Sequence, residues 1–154
     1  MKRQTRNSAK ALVIKDGKML AVKLNDDGDI FYIMPGGGQH SGELLTEAVK
    51  REVAEEIGIN VTPKSLAFVI EGAHGEAFHR VDIVFLCDYM NDIDGADLHA
   101  DTNQAGYEWL DIATLNQRPL YPSKLRRPIM KLYYGEETDV YLGNEEMGDP
   151  EALE

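Results

Sequence analysis

Leu45, Val49, Val53 and Ile57 recur every fourth residue and lay one apolar stripe along a helix. The spacing predicts a helix from about Glu43 to Ile57, stopped by Gly58, which suits the residue just past a helix end. Glu52, Glu55 and Glu56 stand at i, i+3 and i+4 on it, so three carboxylates project from neighbouring points of one face. Like charges at that spacing cost about 0.2–0.5 kcal/mol per pair. Three glutamates alone would describe the solvated face of an acidic helix. Glu56, however, falls beside Leu45 and Val49, on the side that should be buried. An unpaired carboxylate is expensive there, and a hard divalent cation is the natural group to stabilise it. Just before the helix runs Gly36-Gly37-Gly38, where the missing side chains let backbone groups approach a ligand. A helix N-terminus beside such a loop suits phosphate. Together these features predict a Mg²⁺ cluster of carboxylates and backbone oxygen, placed to receive a polyphosphate.

The chain has 154 residues, enough for one domain with a real core and too few for two comfortable ones. With 16 basic and 27 acidic residues the net charge is −11. That balance argues against bulk nucleic-acid binding and against an anionic membrane surface. It does not exclude an anionic small molecule, because bound cations invert the local sign. The single cysteine, Cys87, lies in an apolar run and reads as a core residue in a reducing compartment. No apolar run reaches the length of a membrane span, and the basic start Met1-Lys2-Arg3 is followed by polar residues rather than a signal core. A cytoplasmic location is the expectation.

In chain order, Ala9 to Ile14 and Met19 to Leu24 read as strands joined by a tight Asp16-Gly17 hairpin turn. Asn25 to Asp29 reads as a polar loop and Ile30 to Met34 as a short strand. Phe31 and Tyr32 are core aromatics in the plainer reading, with stacking on a base as the functional one. Arg51 forms an i, i+4, i+8 ladder with Glu47 and Glu55, either as two surface ion pairs or as the group that fixes a ligand carboxylate. Leu66 to Glu71 and Val81 to Asp88 are expected strands, the second almost continuously apolar and therefore central. His74, His79 and His99 lack metal-ligand spacing and read as loop or surface residues. Arg80 either reaches a phosphate or forms an ion pair. Asp94 to Gly106 reads as a polar loop, Gly106 to Leu110 as a strand, Ile112 to Leu115 as a short helix, and Lys124 to Tyr133 as a last helix. The order predicts an α/β protein with helices over both faces of a mixed sheet. Residues 1–134 form the expected domain. Residues 135–154 form an acidic tail, partly disordered or packed on a partner subunit in a homodimer, with Val140 to Leu142 able to add a strand.

The residues Gly37, Glu43, Arg51, Glu52, Val53, Glu55, Glu56, Gly58 and Ile59 stand at the spacing of the Nudix box, which this chain resembles at every position. Tyr32-x-x-Pro35-Gly36-Gly37 and Glu108-Trp109-Leu110 also look like the family, so the likeness covers roughly the first 130 residues. The resemblance implies an α/β/α sandwich around a mixed β-sheet. It also implies a Mg²⁺-dependent pyrophosphohydrolase (Mn²⁺ as substitute) that cleaves a nucleoside diphosphate linked to a moiety X and releases a nucleoside monophosphate. Glu52 and Glu56 would be ligands, Glu55 a ligand or proton acceptor, and a carbonyl of Gly36 or Gly37 a further donor. Glu43 would sit at the rim, against metal-bound water or Arg51. Tyr32, Gly37, Gly38 and Arg80 would contact the substrate. A general base outside the box would come from Glu76, Asp101 or Glu108.

Two other readings stay open. One is a nucleotide-sensing module on the same fold, which tends to lose the box glutamates that are all present here. The other is isomerase chemistry on an isoprenoid diphosphate, which needs a differently arranged site. Downstream of the box, ADP-ribose hydrolases carry a proline and dinucleoside polyphosphate hydrolases a tyrosine. At about that distance this chain has His74 and Gly75, so neither mark is evident, which weakens both assignments without excluding them and leaves nucleoside triphosphates and nucleotide sugars open. Capped RNA fits the acidic surface less well.

Overall fold

The structure is a computed structural model, and it describes residues 3–75, 77–95 and 104–146. Its strands are β1 (Gln4–Lys15), β2 (Lys18–Asp26), β3 (Asp29–Ile33), β4 (Gly36–Gly38), β5 (Ile59–Gly72), β6 (Phe78–Asp92), β7 (Gln104–Asp111), β8 (Leu120–Tyr121) and β9 (Tyr141–Asn144). Two α-helices, α1 (Leu45–Ile57) and α2 (Arg126–Tyr133), join 3-10 turns at Ile112–Gln117 and Ser123–Leu125. The last helix thus begins as a 3-10 turn, and its α-helical part starts two residues later than expected.

The sheet runs β8-β3-β2-β1-β6-β5-β9, with β4 paired to β1 and β7 to β2. It is mixed: β1 and β6, β3 and β8, and β5 and β9 are parallel pairs. As expected, β6 is central, bonded to β1 on one side and β5 on the other. The Asp16-Gly17 turn has φ of 52° and 75°, the doubly left-handed turn that matches strand twist. The same geometry recurs at Asp27 and Gly28 (51° and 92°), so the expected polar loop is a second tight hairpin. Its Asp-Gly pair carried the same signal.

Strand β1 explains where the site lies. One edge pairs along its length with β6. The other edge pairs with β4 through Ser8–Lys10 and only further on, at Ile14 and Lys15, with β2. The two halves of the sheet therefore part along β1, and the triple glycine fills the parting as a short strand rather than an open loop.

Alternation along β1 sorts the core into two layers. Ala9, Ala11, Val13, Leu20 and Val22 face α1, whose Val49, Val53 and Ile57 are buried against them. Each such side chain contributes about 1.5–3 kcal/mol on burial. Leu12, Met19, Val84, Leu110 and Phe68 face the other way, toward Leu125 and Ile129 of the α2 segment. Cys87 is buried in the α1 layer, and that burial, more than the nearby Asp88, pushes its thiol pKa to about 12, so it is a core residue as read. Gly58 ends α1 in the left-handed region (φ 67°) and donates to Ala54 O.

The expected domain edge at residue 134 does not mark the end of the body. β9 bonds along β5 in parallel register. Beyond it, the buried Glu145 carboxylate accepts from Ser123 N–H, Ser123 Oγ–H and Lys124 N–H at 2.6–3.0 Å. The chain through Glu146 belongs to the fold, and 147–154 lie outside the described residues.

Candidate active site

Helix α1 starts two residues later than expected, and Glu43 lies just outside it. Its first turn is closed by Glu47, whose carboxylate accepts the Leu44 N–H at 2.8 Å. That gives Glu47 a capping role the sequence reading missed. Arg51 does what good ligand positioning requires. Its Nε and Nη2 donate to Glu43 at 2.7 and 3.0 Å, its Nη1 to Glu52 at 2.8 Å and Glu55 at 3.2 Å, and its Nη2 to Gly38 O at 2.9 Å. One guanidinium thus gathers three box carboxylates and the glycine strand. The planar fork with five donors makes this possible, and a lysine could not reproduce it. Hydrogen bonding from Arg51 is the main reason the Glu43 pKa falls to about 2, and Glu43 in turn raises that of Arg51.

Glu56 has a different setting. It is half-buried beside the α1 stripe, as the helical wheel placed it. Its Oε1 accepts the Gly36 N–H at 3.1 Å and its Oε2 accepts Gln104 Nε2 at 3.0 Å. Burial raises its pKa above the ordinary carboxylate value, Lys10 and these two hydrogen bonds oppose the rise, and Glu52 adds to it. Lys10 and Gln104 are partners that the sequence reading missed. Lys10 carried a signal, as a lone cation in the apolar alternation of β1. Gln104 comes from the far end of the chain, and no local pattern points to it.

The three glycines serve three purposes. A Cβ on Gly36 would lie 2.2 Å from Ala9 O in the paired strand. A Cβ on Gly37 would lie 2.5 Å from Glu52 Oε2 and 2.6 Å from its Cδ, so the bare backbone here makes room for that carboxylate. A Cβ on Gly38 would meet nothing within 4 Å, and this residue contributes its carbonyl to Arg51. Gly37→Ala should therefore displace Glu52 and cut turnover at least about tenfold, with stability changed by less than about 1 kcal/mol, since a flexible side chain can give way. Gly38→Ala should leave both near the parent. Steady-state kinetics and thermal melts of the two variants test the contrast.

Tyr32, a candidate for base stacking, is a core residue instead. It is 5% exposed, and its hydroxyl donates to Glu108 at 3.0 Å while the Arg118 guanidinium lies over its ring at 5.4 Å. Glu108 faces Lys23 and Arg118 at 3.6 and 3.5 Å. Through its pairing with Ala21 it shares the α2 layer of the sheet, away from α1. Its partners are these groups rather than the box carboxylates. The other base candidates, Glu76 and Asp101, and also His99, lie outside the described residues. Arg80 forms the ion pair that was its plainer reading, with Nε 2.8 Å from Asp82 Oδ2. His79 pairs with Glu71 at 2.7 Å. A cavity of about 160 Å³ opens on the α2 side of β1, bordered by Lys10, Met34, Arg80, Asp82, Tyr121 and Leu125.

The donor set around Gly37 is oxygen throughout, which suits a hard cation such as Mg²⁺. Among the described residues no three carboxylate, imidazole or thiolate groups already converge as a cation cage. Glu52 and Glu55 are turned to Arg51, and Glu56 to Gly36 and Gln104. The fit rests on Glu52 lying against the bare Gly37 backbone, close enough to Glu56 to raise its pKa.

The site thus lies in a mixed sheet between helical layers, where a glycine strand faces an arginine-ordered glutamate helix. The NUDIX domain model matches residues 4–132. The chain belongs to the Nudix family, as a Nudix hydrolase. It is 30% identical over 122 residues to an ADP-ribose pyrophosphatase of Methanocaldococcus jannaschii, a match covering 78% of this chain and 70% of that protein. A shorter match, 42% over 50 residues, relates it to the nucleoside triphosphatase NudI of Escherichia coli and covers 30% of this chain and 36% of that one. Among solved structures, a Nudix hydrolase from Nitrosomonas europaea superposes with a TM-score of 0.71 at 20% identity, covering 89% of this chain and 94% of its own. A UDP-X diphosphatase superposes with a TM-score of 0.70 at 18% identity, covering 94% of this chain and 69% of its own. These two likenesses bear on the fold. Among the described residues no helix is long and apolar enough to cross a membrane.

Proposed function

We propose that the protein is a Mg²⁺-dependent pyrophosphohydrolase, with Mn²⁺ as a substitute, acting on a small nucleoside diphosphate derivative. Water adds to one phosphorus as the phosphoanhydride P–O bond breaks, giving a nucleoside monophosphate and the phosphate of X. The observation that carries this reading is the packing of Glu52 against the Gly37 backbone, one helical turn from Glu56 on the Gly36 N–H. Glu52, Glu56 and the Gly37 carbonyl would hold the cation, with Glu55 as a further ligand or a proton acceptor. A cation held there would supply Lewis-acid chemistry, offsetting phosphate charge and making water more acidic. Arg51 keeps Glu52 and Glu55 in place from behind and ties them to Glu43 and Gly38. Lys10, on the cavity side, offers positive charge to the phosphates. The cavity beside it takes one ring of the substrate.

Relatives bear names for both ADP-ribose and nucleoside triphosphate hydrolysis. The substrate class is therefore tested with a panel of nucleoside triphosphates, nucleotide sugars and ADP-ribose in Mg²⁺, with products identified by mass. Release of a nucleoside monophosphate is the expected result; free orthophosphate with a nucleoside diphosphate would overturn the bond assignment. Glu52→Gln separates ligand from base. As a ligand, its loss raises the Mg²⁺ concentration for half-maximal rate at least about tenfold and leaves the acid limb of the pH–rate profile in place. Disappearance of that limb would make Glu52 the base instead.

A further inference from the structure

Asp82 is an odd residue for its place. It sits in the middle of β6, paired with Ser8 on one side and Ile70 on the other, and two residues before the fully buried Val84. Its side chain is 6% exposed and borders the cavity described above. The ion pair with Arg80 accounts for Oδ2, and through Arg80 the carboxylate is linked to the Glu145 carbonyl at 3.3 Å. Nothing accounts for Oδ1, which is buried with no hydrogen-bond partner among the described residues. A buried carboxylate oxygen left unpaired is costly in any fold, and a bound donor is the direct way to relieve it.

The surroundings narrow the donor. The cavity is about 160 Å³. At ~30 Å³ per water that is room for about five waters, the scale of one heterocycle rather than a whole nucleotide. Its walls are mostly apolar, from Ile33, Met34, Val84, Tyr121 and Leu125, which suits the faces of a flat ring and not a sugar with hydroxyls on every side. The charged groups on its border are Lys10, Arg80 and Asp82. Two of these can only donate, and an ionised carboxylate can only accept. Lys10 also pairs with Gly36, whose N–H holds Glu56, so a ring in the cavity has its phosphates on the side of the box.

We propose that Asp82 is a specificity residue that accepts a hydrogen bond from the exocyclic amino group of the substrate's nucleobase, selecting amino-bearing bases over their oxo counterparts. This rests on the nucleotide reading above and goes beyond it by naming what the base must carry. With Arg80 available for a neighbouring ring nitrogen or carbonyl, the pattern fits the amino edge of cytosine or adenine. An oxo group in the amino position would set two acceptors against each other.

The test is equilibrium binding of matched nucleoside monophosphates by calorimetry, in chelator and without turnover. The pairs are CMP with UMP and AMP with IMP. The parent should bind the amino member of at least one pair at least about tenfold more tightly. Asp82→Asn, whose amide can present either a donor or an acceptor, should bring that ratio to within about twofold. Equal binding within both pairs by the parent overturns the proposal without any variant, so a failure of Asp82→Asn to fold leaves it falsifiable. No binding of any of the four up to about 10 mM overturns it as well. Discrimination that survives in a folded Asp82→Asn assigns the selectivity elsewhere. Hydrolysis without discrimination sinks this inference and leaves the hydrolase standing; discrimination without hydrolysis does the reverse.

Discussion

Glu56→Gln is expected to lower Mg²⁺-dependent turnover by about a thousandfold or more while leaving the melting temperature unchanged or higher. On the proposed role, the loss follows from removing one ligand of a cation that would supply several kcal/mol of transition-state stabilisation. The tolerance follows from the local geometry. The new amide oxygen can still accept the Gly36 N–H, and Gln104 can turn its own oxygen toward the new donor. The pH dependence has a definite sign. Burial raises the Glu56 pKa, so the folded state binds this proton more tightly than the unfolded chain. Its linked contribution favours folding below the ordinary value of 4.5 and is lost as pH rises through the folded value. Glutamine has no such proton. In chelator, the melting temperature of Glu56→Gln should therefore pull ahead of the parent as pH is raised above 4.5. Glu43 behaves oppositely: its pKa is depressed to about 2, so its contribution is present above 4.5 and is lost as pH falls toward 2. Turnover near the parental rate in Glu56→Gln would eliminate the role assigned to it.

Gly36→Ala should destabilise the protein by about 4 kcal/mol, read from urea unfolding. Two causes add. The residue has φ of +134°, where side chains are strained, and its Cβ would stand 2.2 Å from Ala9 O and 2.8 Å from Lys10 Cα. Both obstacles are backbone atoms of the neighbouring strand, so neither can rotate aside. The strand pairing of Lys10 with Gly36 would have to open, and with it the hydrogen bond that holds Glu56. The contrast with Gly37→Ala is the point of the pair: one glycine is required by the fold, the next by the carboxylate it faces. A Gly36→Ala protein within 1 kcal/mol of the parent would mean that β4 does not lie this close to β1.

Much of the site was legible because it is local. The stripe from Leu45 to Ile57, the three glutamates, Arg51 and the glycines lie within 22 consecutive positions, from Gly36 to Ile57. Helical periodicity converts such spacing into direction. The wheel that set Glu56 beside Val49 is the same geometry that half-buries its carboxylate. Tyr32 read less well, because a strand residue's environment depends on which sheet layer its face joins. That was decided by pairing β3 with β2 and closing over Glu108 and Arg118.

The carboxylate-bearing helix, its glycine approach and the family are all written in the chain, because they depend on the repeat of one helix and on neighbouring residues. It took strand pairing to divide the edge of β1 between β4 and β2 and so bring Lys10 and Gln104 to Glu56. The same holds for the buried, half-satisfied Asp82 at a cavity lined by Tyr121 and Leu125. Those contacts join positions tens of residues apart, and no local period encodes which strands will meet.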